Sequence, residues 1–241
     1  MSASSSPLAQ VLQRADVWRG RLAQVSVEGE PSGFDVLDAE LPGGGWPRGA
    51  LTELLVSQQG VGELSLLLPA LARLSQTGWV ALIAPSHLPH AAAWAGAGIA
   101  LEHLWLVRAN DAMDAAWATE QVLASGAFAA VLSWLPKANA YALRRLQLAA
   151  EGQRSLAFVM RPTHAASSSS PAPLRLTLEA GQADDVGYLI ARLIKRRGPL
   201  QHQPLRLMVK RPLPLARLNK KRITHLSLSR RQPTMTDVLL K

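Results

Sequence analysis

The chain contains no cysteine, which excludes disulfides, thiolate zinc sites and cysteine nucleophiles. It has no apolar run of about 18 residues, so no segment reads as a membrane span. Its opening, Met1-Ser2-Ala3-Ser4-Ser5-Ser6-Pro7, lacks the basic and apolar stretches of a secretory leader. A cytoplasmic protein with no membrane partner is the expectation. Acidic residues are missing from Val186 to Thr236, and this interval holds Arg192, Lys195, Arg196, Arg197, Arg206, Lys210, Arg211, Arg217, Lys220, Lys221, Arg222, Arg230 and Arg231. The formal net charge of +9 is therefore unevenly placed. A one-signed block of this kind suits a polyanion or an acidic protein surface, with Lys195–Arg197, Lys220–Arg222, Arg230 and Arg231 as the basic patch; a solvated basic tail is the plain alternative.

What is present is enough for one core. At 241 residues with 48% hydrophobic content, the chain reads as one globular domain plus tails. Ser6-Pro7 forms a helix-start signal, and Leu8, Val11, Leu12, Ala15, Trp18 and Leu22 recur at helical spacing. The expected organisation is an N-terminal helical arm over 1–24, a linker over 25–31, a core over 32–211 and a flexible basic extension over 212–241. Within the core, strands are expected at 50–56, 79–84, 104–107, 128–132 and 156–160. Helices are expected at 63–76 (interrupted or bent at Pro69), 90–95, 111–125 (capped by Asn110) and 139–151. Short apolar strands alternating with helices imply βαβ crossovers, hence an α/β fold with a mostly parallel sheet flanked by helices. Residues 163–173, rich in serine, read as a mobile loop. Residues 174–178 and 205–209 alternate apolar and polar as antiparallel edge strands do, and 184–197 ends in a basic turn.

Strand 50–56 leads into the window Ser57-Gln58-Gln59-Gly60-Val61-Gly62-Glu63-Leu64. This occupies a phosphate-loop position, where a working loop needs backbone N–H groups for the phosphates, a lysine for their charge and a hydroxyl for Mg²⁺. Gly60 and Gly62 fit, but Glu63 stands at the lysine position and Leu64 at the hydroxyl position. The glycines then serve either a lost nucleotide site or simply a tight turn into a helix. The six histidines, among them His87, His90 and His103, lack metal-ligand spacing, and Ser86 and Ser133 have no activating His/Asp partners. No cofactor or metal is expected. Trp79, Trp105, Trp117 and Trp134 suit the core. Trp18 and Trp46 suit either the core or, as exposed rings, a partner contact together with Leu8, Val11 and Leu12.

The segment Gly33-Phe34-Asp35-Val36-Leu37-Asp38, the glycine-rich connection Gly43–Gly45 and Arg48-Gly49 before the strand resemble the approach to the phosphate loop in the RecA recombinase core. Val80–His87 resembles the strand ending in its catalytic glutamate, and Asn110–Leu135 the region carrying its metal-binding aspartate. Leu156–Arg161 resembles the strand before its second DNA-binding loop. Within that group the chain resembles the ImuA/SulA family of SOS-response proteins, over roughly residues 30–210. The arm ending Val17-Trp18-Arg19-Gly20 and the run Gly49-Ala50-Leu51-Thr52-Glu53-Leu54-Leu55 resemble the ImuA branch.

The resemblance implies a RecA-like, P-loop NTPase-type fold whose nucleotide site is degenerate at Gly60, Gly62, Glu63, Leu64, Ser86 and Ser133. Phosphoryl transfer needs a cation on the phosphates, a held metal and a group orienting water, and all three positions have lost their residue type, so no enzyme is expected. The ImuA branch implies a non-catalytic accessory role in translesion DNA synthesis. Its implied partners are an ImuB-like, Y-family-like polymerase protein, RecA and an error-prone replicative-type polymerase, with DNA contacted through the basic C-terminal region. The alternative is a SulA-type inhibitor of cell division that binds the tubulin-like division protein. The core does not separate the two, whereas the length, the arm and the basic end favour the ImuA branch. A residual nucleotide switch is a third reading, opposed by Glu63.

Overall fold

Seven residues, Ala50–Val56, form β1, and from Leu51 onward every side chain in it is buried. A strand hidden on both faces must lie inside a sheet covered twice. The computed structural model of the chain describes residues 29–200, 203–210 and 224–227. Around β1 the chain adds β2 (Trp79–Ile83), β3 (Leu104–Arg108), β4 (Phe128–Trp134), β5 (Leu156–Pro162), β6 (Leu174–Ala180), β7 (Leu189–Lys195), β8 (Leu205–Leu207) and β9 (Thr224–Ser227). Among the described residues these form one sheet in the order β8-β7-β6-β1-β5-β4-β2-β3-β9. From β6 to β9 all neighbours are parallel, while β7 runs antiparallel to β6 and β8 antiparallel to β7.

The helices are α1 (Asp35–Asp38), α2 (Glu63–Ser75), α3 (Ala91–Gly96), α4 (Ala112–Ala124) and α5 (Ala140–Ala150). Leu66, Leu67, Ala70, Leu71 and Leu74 make the apolar stripe of α2, which packs with Trp94 of α3, Leu37, Leu41 and Trp46 on one face of the sheet. Ala115, Ala118, Val122 and Leu123 of α4 and Leu143, Leu146 and Ala150 of α5 cover the other. The protein is thus a mixed α/β fold with helices on both faces of a mostly parallel sheet.

Several expectations are corrected. Helix α2 is not interrupted at Pro69 but continues to Ser75. Asp111, not Asn110, caps α4, accepting from the N–H groups of Met113 and Asp114. Strand β6 is not an edge but lies between β1 and β7, and β7 occupies the segment expected to end in a turn. The serine-rich segment is pinned rather than mobile: Thr163–Ser167 is a 3-10 turn, and Ala165 and Ala172 are buried. The linker reading ends early, because Glu30 pairs with Trp46 in an antiparallel bridge. Gly45 permits that approach, since a Cβ there would lie 2.3 Å from the Glu30 carbonyl oxygen. Strand β9 lies in the segment expected to be flexible, parallel to β3 at the far edge. The N-terminal arm over 1–24, with Leu8, Val11, Leu12 and Trp18, lies outside the described residues, as do Lys220, Lys221, Arg222, Arg230 and Arg231.

Two buried carboxylates knit this fold. Glu53, fully buried in β1, meets Arg161 Nη1 of β5 at 3.0 Å and Arg175 Nε of β6 at 3.5 Å, and accepts from the Ser170 hydroxyl. Glu30 meets Arg48 at 2.6 Å and Arg73 of α2 at 2.9 Å, joining the segment before α1 to the helix and to the start of β1. Removing one partner of a buried pair strands the others' charge, at a cost of about 3–5 kcal/mol. Glu53→Ala is therefore expected to lower unfolding free energy on that scale in urea titrations. A loss below about 1 kcal/mol, the range of exposed ion pairs, would refute the cluster's structural role.

Candidate functional site

The loop after β1 ends in a glycine whose backbone a side chain would strain. Gly62 has φ +120, and its Cβ would press on Val209 at 3.1 Å. The turn delivers the first residue of α2, Glu63, not outward but back over the loop. Its Oε1 accepts from the Gly60 N–H at 2.9 Å and its Oε2 from the Gly62 N–H at 3.1 Å. The carboxylate is buried, only 5% exposed. Backbone N–H groups at a helix start favour an anion there through their partial positive charge. In this chain the anion is the helix's own first side chain.

Leu64 packs against the core on the α2 face of the sheet. Ser86, just past β2, accepts a hydrogen bond at 2.8 Å from Gln59 Nε2 of the same loop. Gly60, Gly62, Glu63, Leu64 and Ser86 are thus gathered at one place, on the edge where the parallel strands end. Ser133 is held inside β4, fully buried, with its hydroxyl donating to the Phe158 carbonyl at 3.3 Å. No group of three His, Asp or Glu that could hold a metal ion occurs among the described residues. No helix among them is long and apolar enough to cross a membrane.

The other candidate positions divide. Trp46, weighed as a partner anchor, is fully buried, with its ring edge-on to Phe158 at 5.2 Å. It is a core residue because the bridge to Glu30 folds the glycine-rich connection onto the sheet. Of the tryptophans that suited the core, Trp79 and Trp117 keep more than a third of their surface exposed. The basic patch loses two members to the chain's own structure. Arg196 meets Glu40 at 2.7 Å, and Lys195 Nζ donates to the Ser170 carbonyl at 2.7 Å. Arg197 is exposed. Composition could not foresee this, because Glu40 lies 156 positions before Arg196. Sequence reading also passed over Glu53, although a lone acid in an apolar strand signals a buried partner. It passed over the exposed apolar side chains Leu88, Met113 and Tyr141 as well.

The family profile of the cell division inhibitor SulA matches residues 49–157. The chain is 33% identical over 134 residues to the cell division inhibitor SulA of Edwardsiella piscicida, covering 53% of this chain and 80% of that protein. It is 30% identical over 115 residues to the cell division inhibitor SulA of Photorhabdus laumondii, covering 47% of this chain and 64% of that protein. These matches overturn the ImuA reading, and with it the translesion accessory role and its partners: the ImuB-like polymerase protein, RecA and the error-prone replicative-type polymerase. Of the features that favour that reading, the arm and the basic end lie outside residues 49–157, whereas the run Gly49–Leu55 lies within them. The chain belongs to the cell division inhibitor SulA family.

Proposed function

We propose that this protein is an SOS-linked inhibitor of cell division that binds the tubulin-like division protein and blocks its polymerisation, with no chemistry of its own. The observation that carries the reading is the 33% identity spread over 80% of a relative named for that inhibition. The site geometry supports it. A nucleotide would need the Gly60 and Gly62 N–H groups, and the Glu63 carboxylate already holds both. A triphosphate arriving there would meet a buried like charge. The β1–loop–α2 order further supports descent from a RecA-type nucleotide core whose ligand has been replaced by a side chain.

An inhibitor of this kind acts by occupying a surface, so its effect is stoichiometric. In sedimentation of the purified division protein polymerising with GTP, pelleted polymer is expected to fall linearly with added chain and vanish near equimolar ratio. Unchanged polymer at excess chain would overturn the reading, and complete inhibition far below equimolar would overturn the stoichiometric mechanism.

Loss of the Glu63 carboxylate leaves two loop N–H groups without their partner. Glu63→Ala is expected to cost about 1–3 kcal/mol in urea unfolding, the penalty for stranding buried donors. Glu63→Gln, which keeps one accepting oxygen, is expected to cost less. Equal stability of the wild type and Glu63→Ala would show that the loop does not depend on its internal anion.

A further inference from the structure

The charges around Glu53 do not balance. Arg161 Nη1 lies 3.0 Å and Arg175 Nε 3.5 Å from the same carboxylate oxygen, Oε2. Arg175 stands directly opposite Lys195 in the antiparallel pair of β6 and β7. Lys195 Nζ reaches the carbonyl of Ser170, the residue whose hydroxyl binds Glu53. Three cations therefore gather about one carboxylate, which leaves two positive charges without a counter-charge. No second Asp or Glu touches any of the three among the described residues. Like charges directly opposite across two strands are destabilising. Both guanidinium groups are more than nine-tenths buried, so solvent screens them little.

Donors are left over as well. The Nε–H groups of Arg161 and Arg175 are buried with no hydrogen-bond partner among the described residues. The carbonyls of Ala138, Ala165 and Ala166 take other donors of the two groups, but a carbonyl cancels no net charge. Lys195 is half-buried and carries three donors, of which the Ser170 carbonyl takes one. The segment that lies over the cluster, Thr163–Pro173, contains four serines and no acid. Ser167, Ser168 and Ser169 in it are exposed, beside the half-buried Ser170.

We propose that Lys195, Arg175 and the serine loop Ser167–Ser170 form a binding site for a small tetrahedral oxyanion, free phosphate or sulfate, at the outer side of the Glu53 cluster. The uncompensated charge selects an anion. Oxygens that accept from an ammonium, a guanidinium and hydroxyls together select an oxyanion, because charge-assisted hydrogen bonds of this kind are the strong ones. Burial selects a small one. A nucleic-acid backbone is held by a row of cations that reach its successive phosphates, whereas Arg161 and Arg175 are buried and Lys195 alone nears the surface here. The site is separate from the loop after β1, whose N–H groups Glu63 already holds. It is also independent of the inhibitory function.

The test titrates the full chain with inorganic phosphate in a calorimeter at constant ionic strength, with the melting temperature read alongside. One saturable site per chain is expected, and a melting temperature that rises with occupancy. Sulfate is expected to compete for the same site. Sodium chloride at equal ionic strength is expected to give a smaller rise, because screening alone supplies no ligand. Lys195→Gln is expected to weaken phosphate binding about tenfold, the scale of one charge-assisted hydrogen bond. Ser168→Ala with Ser169→Ala, at exposed positions where folding is not at stake, is expected to weaken it several-fold. Arg108→Gln removes an exposed cation at the end of β3, toward the opposite margin of the sheet, and is expected to leave the affinity unchanged. Circular dichroism establishes that each variant is folded.

Absence of saturable phosphate binding would overturn the site, as would an equal rise in melting temperature with chloride. Wild-type affinity in the Lys195 and serine variants would place the phosphate elsewhere and overturn it too. Equal weakening by Arg108→Gln would reveal a diffuse effect of net charge, with the same consequence. Free phosphoserine binding more tightly than inorganic phosphate would overturn the assignment to the free ion.

Discussion

One carboxylate buried in the middle of β1 organises the centre of this protein. Glu53 shares its oxygens among Arg161, Arg175 and Ser170, so three strands and one loop answer to a single side chain. Desolvating these charges is costly, and further hydrogen bonds of the two guanidinium groups offset part of that cost, although the Nε of each arginine makes none among the described residues. Arg161 donates to the Ala138 carbonyl at 2.7 Å, and Arg175 donates to the Ala165 carbonyl at 2.8 Å. These bonds fix the loops after β4 and β5 to the sheet. Ser170 passes the constraint onward, since its carbonyl receives Lys195 at the end of β7. The parallel centre of the sheet and its antiparallel margin are therefore positioned by the same cluster.

The cluster also explains where the sequence misleads. Residues 174–178 alternate as an edge strand does, yet Arg175 is buried, because Glu53 stands opposite it on the neighbouring strand β1. A pattern rule reads arginine as outward-facing and has no means of seeing an acid more than a hundred positions away. In β7, Leu189, Ala191 and Leu193 are buried and Ile190, Arg192 and Ile194 are not. The period of two is present, but the basic run that follows concealed it. The serine-rich loop reads as mobile because its composition is polar, while its order comes from single contacts. By contrast, β1, α2, β2, α5 and β5 were legible almost to the residue, since apolar runs and 3.6-residue spacing report burial directly.

The candidate site was half legible. That an acid, Glu63, stands where a phosphate loop would carry its lysine is readable in the sequence. That its carboxylate turns back onto the two glycine N–H groups is not, because it depends on the left-handed turn at Gly62. Ser86 lies three residues beyond β2, and Ser133 is the second-last residue of β4. The choice between two branches of one family was not legible at all. The features that favour the ImuA branch are the length, the arm ending Val17-Trp18-Arg19-Gly20, the run Gly49–Leu55 and the basic end, and none of them states which partner surface is met.

The internal anion changes what this edge of the sheet can be used for. A phosphate loop is vacant between ligands, and its N–H groups must be kept open to solvent until phosphate arrives. A tethered carboxylate fills the same cradle without any loss of translational freedom, so the loop is satisfied at all times. Gln59 donates to the Ser86 hydroxyl and ties the β1 loop to the β2 loop. The neighbouring loops thereby gain a fixed foundation, one that does not alternate between empty and occupied states. A surface that is already ordered pays little conformational entropy when a partner lands on it. A carboxylate that satisfies the N–H groups of its own loop thus leaves the loops after β1 and β2 joined through side chains of the chain itself.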